Sequence, residues 1–134
     1  MGNIIKPIEI ASADDRLIMS NQGTDCLLDL LLCAAETLPQ TETQSKLIAF
    51  LKERKEINLI APGTAGFNLN EMPWDEDSLD DDVAFLESVI QTAQKDSTFE
   101  MLPYEVNKNI VLPWLQQLET MTEQLVTLMS LFYF

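Results

Sequence analysis

Apolar residues recur at helical spacing in four stretches of the chain. The densest stretch, residues 26–35, is apolar on nearly every face, which is typical of a helix buried at the centre of a small protein. We place its start at Thr24, a good N-cap residue, and its end before Pro39. The pattern Thr41-x-x-Gln44 is typical of a capping box and predicts the start of a second helix. The basic side chains of that helix are expected to face solvent: Lys46, Lys52, Arg54 and Lys55.

Two further helices are predicted in the second half of the chain. Ser78-x-x-Asp81 is another capping box, and an apolar stripe follows it: Leu79, Val83, Leu86, Ile90 and Ala93. The last helix begins between Asn107 and Pro113, and its apolar residues step by three and four: Trp114, Leu118, Met121, Leu125, Leu128 and Phe132. This average of about 3.5 residues predicts a seam that packs on another helix, either in the core or in a second copy of the chain.

The segments between the helices carry turn residues. Residues 57–70 contain Pro62, Gly63 and Gly66, which predicts a turn-rich connector with a short strand at Ile57–Ile60. A loop is expected through Asp96, Pro103 and Asn107. Residues 1–22 are expected to be irregular or extended, because isoleucines surround Pro7: Ile4, Ile5, Ile8 and Ile10. Since 46% of the residues are apolar, we predict a mainly α, single compact domain over residues 1–134, with about four helices and one or two short strands.

The charge of the chain excludes several classes of function but says little about the fold. The chain has 22 Asp and Glu, 8 Lys and Arg and no His, which gives a formal net charge of −14. Affinity for nucleic acid and for anionic membranes depends on Lys and Arg, so neither is an expected partner. Without His, a Ser-His-Asp triad, a Cys-His pair and a HExxH zinc site are excluded. We expect no catalytic activity, no cofactor and no metal site.

We expect neither an export signal nor a membrane anchor in this sequence. Its start matches neither a secretory signal nor a myristoylation signal, and its longest apolar stretches fall short of the roughly 20 residues of a bilayer span. Cys26 and Cys33 lie about 10.5 Å apart if their segment is helical, which is beyond disulfide reach. We therefore expect a soluble cytoplasmic protein with reduced thiols.

The acidic residues are concentrated in one segment of the chain. Eight occur within 17 residues: Glu71, Asp75, Glu76, Asp77, Asp80, Asp81, Asp82 and Glu87. One interpretation is a solvated helix start, since aspartates in the first turn interact favourably with the helix dipole. The other is a protein-binding surface, because three adjacent aspartates repel one another and Trp74 supplies an aromatic anchor among them. Calcium does not fit, because a loop starting at Asp75 places aspartate where an EF-hand needs glycine and leucine where it needs glutamate.

Residues 66–124 resemble small acidic immunity proteins of bacterial polymorphic toxin and contact-dependent growth inhibition systems. The similar pieces are Gly66-Phe67, Met72-Pro73-Trp74, Phe85-Leu86-Glu87-x-Val89-Ile90 with Ala93, Leu102-Pro103-Tyr104-Glu105-x-Asn107, and the helix Leu112–Leu118. These pieces combine core aromatics and turn residues, and they cover a little under half of the chain. The first 60 residues add nothing to the resemblance.

The resemblance implies a non-catalytic protein that binds one cognate protein toxin in the cytoplasm and blocks its active site or substrate groove. A negative surface facing a basic, nuclease-type groove makes physical sense, since complementary fields speed association. Two other classes stay open: an acidic secretion chaperone and a nucleic-acid-mimicking enzyme inhibitor. For the seam of the last helix, packing in the core is expected first, and self-association is the alternative. The predicted partner-binding residues are Glu71, Trp74, Asp75, Glu76, Asp77, Asp80, Asp81 and Asp82, followed by Tyr104 and Glu105.

Overall fold

The first helix, α1 (Asn21–Thr37), lies at the centre of the fold and contacts helices on several sides. The predicted central helix and its end before Pro39 are therefore confirmed. Its start differs from the prediction, because the N-cap is Ser20, whose hydroxyl accepts a hydrogen bond from the Gly23 backbone N–H at 3.0 Å. Thr24 instead lies inside the helix, where its hydroxyl donates to the Ser20 carbonyl at 2.9 Å.

The structure is a computed structural model that describes residues 2–8, 16–75, 77 and 79–133, with the backbone only for residues 129–133. Over these residues the chain forms five helices and a small sheet in one compact, mainly α domain, as predicted. The other helices are α2 (Glu42–Ile60), α3 (Leu79–Ala93), α4 (Asp96–Glu100) and α5 (Lys108–Tyr133). None of the described helices combines the length and the apolar character needed to cross a membrane.

One glutamine holds the connection between α1 and α2. Thr41 caps α2, because its hydroxyl accepts the Gln44 backbone N–H at 3.1 Å, and the predicted helix start is confirmed. The Gln44 side chain does not complete a capping box. It donates to the carbonyls of Ala35 and Leu38 at 3.0 and 3.3 Å at the end of α1, where the Ala35 carbonyl also accepts the Leu38 backbone N–H.

The helix α2 continues through Ile60, so the strand predicted at Ile57–Ile60 is wrong. Asn58 in this last turn is buried and donates to the Asn21 carbonyl at 2.8 Å, at the start of α1. Because Gln44 bonds to the other end of α1, the two helices are antiparallel neighbours. The predicted turn follows at Gly63, whose φ of 90° favours glycine.

Three short strands form the sheet. The first, β1 (Asn3–Lys6), pairs antiparallel with β2 (Leu17–Met19) and parallel with β3 (Phe67–Asn68). The extended segment predicted near the start of the chain is confirmed at β1 and β2, while Ile10 lies outside the described residues. Asn3 is buried and ties β1 to the start of α1, since its side-chain amide donates to Asn21 Oδ1 at 3.1 Å.

The helices α3 and α5 pack on each other and on α1. The stripe predicted on α3 is buried at Val83, Leu86, Ile90 and Ala93, with Leu79 half-buried. Ser78, its predicted N-cap, lies outside the described residues. In place of the loop predicted at Asp96, the chain forms the short helix α4, which buries Phe99.

The last helix, α5, begins at Lys108, within the predicted range, and continues past Pro113. Its seam is buried at Leu118, Met121 and Leu125 and belongs to the core cluster of this chain. The described part of the seam is thus a core face, whereas the Phe132 side chain lies outside the described residues. Self-association through α5 stays a prediction.

Candidate functional site

The acidic segment, residues 71–82, leads into α3. Five of its predicted binding residues are exposed: Glu71, Asp75, Asp77, Asp80 and Asp81. Glu76 lies outside the described residues. Among the described residues, none of these five carboxylates takes part in an ion pair. Their negative charge is therefore presented to solvent.

Asp82 differs from its neighbours because it is buried, with 4% of its surface exposed. Its Oδ1 accepts a hydrogen bond from the Thr43 hydroxyl at 2.9 Å, and its Oδ2 accepts the Asp75 backbone N–H at 2.8 Å. The first bond joins the first turn of α2 to the first turn of α3, and the second ties the segment before α3 to that same turn. Both oxygens of Asp82 are therefore used inside the fold, and its predicted part in partner binding stays a prediction.

Trp74 is half-buried and packs against the core. Its indole N–H donates to the Leu69 carbonyl at 2.7 Å. Leu69 begins a short 3₁₀ helix (Leu69–Glu71), at which the Glu71 carboxylate accepts the Asn68 side-chain amide at 2.8 Å. The aromatic anchor of the acidic segment thus supports the path of the chain into α3.

Tyr104 and Glu105 lie at the other end of α1. The acidic segment contacts the rest of the protein through the bond between Asp82 and Thr43, which lies next to the C-terminal end of α1. Tyr104 and Glu105 instead line an open groove of about 540 Å³ between the start of α1 and the start of α5. We call this the α1–α5 groove and define it by the following residues: Gly23, Asp25, Tyr104, Glu105, Ile110 and Trp114. The predicted binding residues therefore form two separate surfaces.

A hydrogen-bonded chain of side chains fixes one wall of the groove. The Tyr104 hydroxyl donates to Asp29 Oδ2 at 2.5 Å. The other oxygen of Asp29 accepts from the Lys55 ammonium, whose Nζ also lies 4.0 Å from Asp25. Lys55 and Arg54 are half-buried, which contradicts their predicted outward orientation, because both pack on the body of the protein.

The same contacts shift the titration of the groups in this wall. Burial and the hydrogen bond to Asp29 raise the pKa of Tyr104. Burial acts to lower the pKa of Lys55, but the hydrogen bond and charge of Asp29, with Asp25 beside it, outweigh burial and raise that pKa. The wall therefore holds a protonated phenol and a protonated amine at neutral pH.

Cys26 lies in the groove next to Tyr104. Burial raises the pKa of its thiol, the Tyr104 hydroxyl opposes this, and the carboxylates of Asp29 and Asp25 add to the rise. Both Cys26 and Cys33 are free thiols, as predicted. A nucleophilic cysteine needs a lowered pKa, and the pKa of Cys26 is shifted in the opposite direction.

The opposite wall of the groove is apolar. Ile110, on the first turn of α5, is 53% exposed. Trp114 packs its ring against the start of α1, where a Cβ at Gly23 would lie only 2.8 Å from the ring. Asp25 and Glu105 supply negative charge, and none of the described lining residues is basic. The groove thus combines accessible apolar surface with two carboxylates.

The arrangement is suited to binding. Within the described part of the chain, no three Cys, Asp or Glu side chains are placed to hold a metal ion. The one cluster of perturbed groups, around Asp29, is internally paired, because its hydroxyl and ammonium both bond to the same carboxylate. The described surface instead presents two features to solvent: the carboxylates of the acidic segment that form no ion pair with a described residue, and the amphipathic groove.

Comparison of the chain with protein-family models, with curated proteins and with solved structures finds no match.

Sequence reasoning missed the groove and most of its wall. It identified Tyr104 and Glu105 but not Asp25, Asp29 or Lys55. One signal was present: Asp29 is the single charge within the apolar run of residues 26–35, and a carboxylate inside a buried helix requires a partner. That partner, Lys55, is 26 residues away in sequence, and no local pattern points to it.

Proposed function

We propose that this chain is a non-catalytic, cytoplasmic protein that binds a basic partner protein and blocks its working surface. The observation that carries the proposal is the exposed charge of Asp75, Asp77, Asp80 and Asp81, before and at the start of α3, where none of the four forms an ion pair with a described residue. A surface of this kind attracts positively charged surfaces over a distance and speeds their association. It repels nucleic acid and anionic membranes, whose surfaces are themselves negative.

The partner class that suits this surface best is a toxin with a basic, nucleic-acid-binding groove. Carboxylates on a rigid helix start would occupy the positions that phosphates take in the substrate, and the inhibitor needs no chemistry of its own. The resemblance of residues 66–124 to immunity proteins of polymorphic toxin and contact-dependent growth inhibition systems supports this choice. The absent histidine is compatible with it, because blocking a groove requires no general base.

The test uses the product of the neighbouring reading frame in the source genome. Expressed alone in a bacterial host, that product is expected to arrest growth, and expressed with this chain it is expected to be neutralised in a one-to-one complex. A neighbouring product that is harmless, or that stays toxic in the presence of this chain, contradicts the proposal. A non-toxic secreted protein that needs this chain for export would indicate a secretion chaperone instead.

A charge variant then tests the surface. Asp80→Asn/Asp81→Asn is expected to slow association by about three- to tenfold at low salt and to flatten its salt dependence, because exposed charges act mainly on encounter. Asp82 is left unchanged because it is buried. The matched control is Glu56→Gln/Glu123→Gln, which removes the same charge from exposed positions on α2 and α5. Equal effects of the two variants would show that net charge, and not this surface, controls association.

A further inference from the structure

The α1–α5 groove has features that the acidic segment lacks. It is a concavity of about 540 Å³, within the roughly 300–1,000 Å³ typical of ligand sites, and it exposes large apolar side chains. Ile110 and Tyr104 are 53% and 42% exposed, although both could contribute to a core. Exposed apolar surface of this kind, rimmed by polar groups, is typical of an interaction site.

The charges of the groove select one kind of ligand. Glu105 is exposed and has no ion-pair partner among the described residues, and Asp25 has only a long contact of 4.0 Å to Lys55. Asp29, in contrast, is saturated by Tyr104 and Lys55 and offers nothing to a ligand. An anion would be repelled, and a purely apolar ligand would bury Glu105 or Asp25 without a partner, which is costly.

We propose that the α1–α5 groove binds an arginine side chain, with an aliphatic neighbour, from an exposed segment of the partner protein. This inference rests on the proposed function and adds a second contact surface to it. The guanidinium pairs with Glu105 and Asp25, and its plane lies against the aromatic rings of Tyr104 and Trp114. The aliphatic neighbour packs on Ile110. Arginine fits better than lysine because its planar, weakly hydrated group both stacks on rings and bonds to carboxylates.

The groove is prepared for this ligand before binding. The Tyr104 ring is held in place by its bond to Asp29, so little rotamer freedom is lost when a guanidinium stacks on it. Gly23 lets the Trp114 ring lie close to α1 and keeps the floor of the groove compact. The positions of both aromatic rings are thus set by contacts within this chain before the ligand binds.

The test is a nuclear magnetic resonance titration of the isotope-labelled full chain with a capped tripeptide, acetyl-Leu-Arg-Leu-amide. Saturable shifts are expected at the backbone amides of Gly23, Cys26 and Glu105 and at the Trp114 indole. The same peptide with lysine in place of arginine is expected to bind more weakly. The peptide with citrulline, which keeps the shape of arginine and loses its charge, is expected to bind weakest.

Variants assign the effect to the groove. Glu105→Gln is expected to weaken binding of the arginine peptide by about threefold, a typical contribution of one exposed charge pair, whereas Glu123→Gln leaves it unchanged. Ile110→Ala is expected to weaken binding as well, and Leu59→Ala, which truncates a still more exposed aliphatic side chain on α2, serves as its control. Equal binding of the citrulline peptide, or shifts centred on the acidic segment, overturns the proposal.

The peptide assay contains no partner protein, so its failure is distinct from failure of the proposed function. If the neighbouring gene product is neutralised while the arginine peptide does not bind in the groove, only the groove proposal is wrong. If the peptide binds in the groove and no toxic partner exists, the groove is a binding site and the inhibitor function is wrong.

Discussion

The acidic segment and the α1–α5 groove lie at opposite ends of α1 and are built in opposite ways. The acidic segment is continuous in sequence, and its charge is visible without a structure. The groove is assembled from the start of α1, the loop before α5 and the first turns of α5. Its central hydrogen bond joins Tyr104 to Asp29, 75 residues away.

A conspicuous run of charged residues in a sequence contributes fewer groups to the surface than their number suggests. Of the acidic segment, Asp82 is buried and bonded, Trp74 packs on the core, and Glu71 bonds within a 3₁₀ helix. The groove uses fewer charges, but Glu105 is exposed and stands beside accessible apolar residues. Binding capacity therefore depends on which groups the fold leaves unsatisfied, and the number of charges in a row is a poor measure of it.

The largest expected effect concerns Trp74. If Trp74 is mainly a core residue, Trp74→Ala lowers the free energy of unfolding by about 3 kcal/mol, because it leaves a cavity and removes the bond to the Leu69 carbonyl. Urea unfolding followed by circular dichroism measures this. Ile110→Ala, in the groove, is the control and should hardly move the midpoint, since Ile110 is more than half exposed. Similar effects of the two variants would mean that Trp74 is not mainly a core residue.

Next in size is the difference between two adjacent aspartates. Asp82→Ala is expected to lower the free energy of unfolding by about 2 kcal/mol, because the Thr43 hydroxyl and the Asp75 N–H lose a buried acceptor. Asp81→Ala removes the same charge from an exposed position and is expected to leave the unfolding midpoint nearly unchanged. Urea unfolding of both variants in parallel gives the contrast. A stable Asp82→Ala variant would return Asp82 to the binding surface.

A smaller effect is expected from the charged pair behind the groove. Asp29→Asn is expected to cost about 1.5 kcal/mol, since it leaves the half-buried Lys55 ammonium without its carboxylate. In a double-mutant cycle with Lys55→Met, the two losses are expected to be clearly less than additive. Strict additivity would show that the pair does not form in solution. No comparable coupling is expected for the exposed carboxylates of the acidic segment.

The helices could be predicted because their signals are local. The Thr41 cap, the apolar stripe of α3 and the seam of α5 each depend on residues within a few positions of one another. The errors have tertiary causes. Residues 57–60 are a helical turn and not a strand because Asn58 bonds to Asn21 at the start of α1. The start of α1 moves to Ser20 because Thr24 is buried beside Asn3, which donates to its hydroxyl.

The candidate site could be predicted only in part. Sequence alone cannot distinguish Asp82 from Asp80 and Asp81, since what separates them is the Thr43 hydroxyl, 39 residues away. The groove depends on the approach of α1 to the start of α5, which no spacing encodes. The lone charge of Asp29 in an apolar helix did indicate a buried partner, but it gave no information on which residue would meet it.

The smallest expected effect is the pH dependence of the contribution that Tyr104 makes to stability. Tyr104 has a raised pKa in the folded chain, so its hydroxyl contributes full stability below the ordinary tyrosine value of about 10, and this contribution is lost as the pH rises beyond that value. Subtracting the tyrosinate absorbance titration of Tyr104→Phe from that of the parent chain isolates Tyr104, which is expected to stay protonated where a free tyrosine ionises. Asp29→Asn is expected to bring its pKa down toward the ordinary value, whereas Asp80→Asn/Asp81→Asn, at the other end of α1, leaves it unchanged. If Tyr104 titrates like a free tyrosine in the parent chain, its bond to Asp29 does not persist in solution, the groove wall is not fixed before binding, and the two surfaces differ in charge but not in preorganisation.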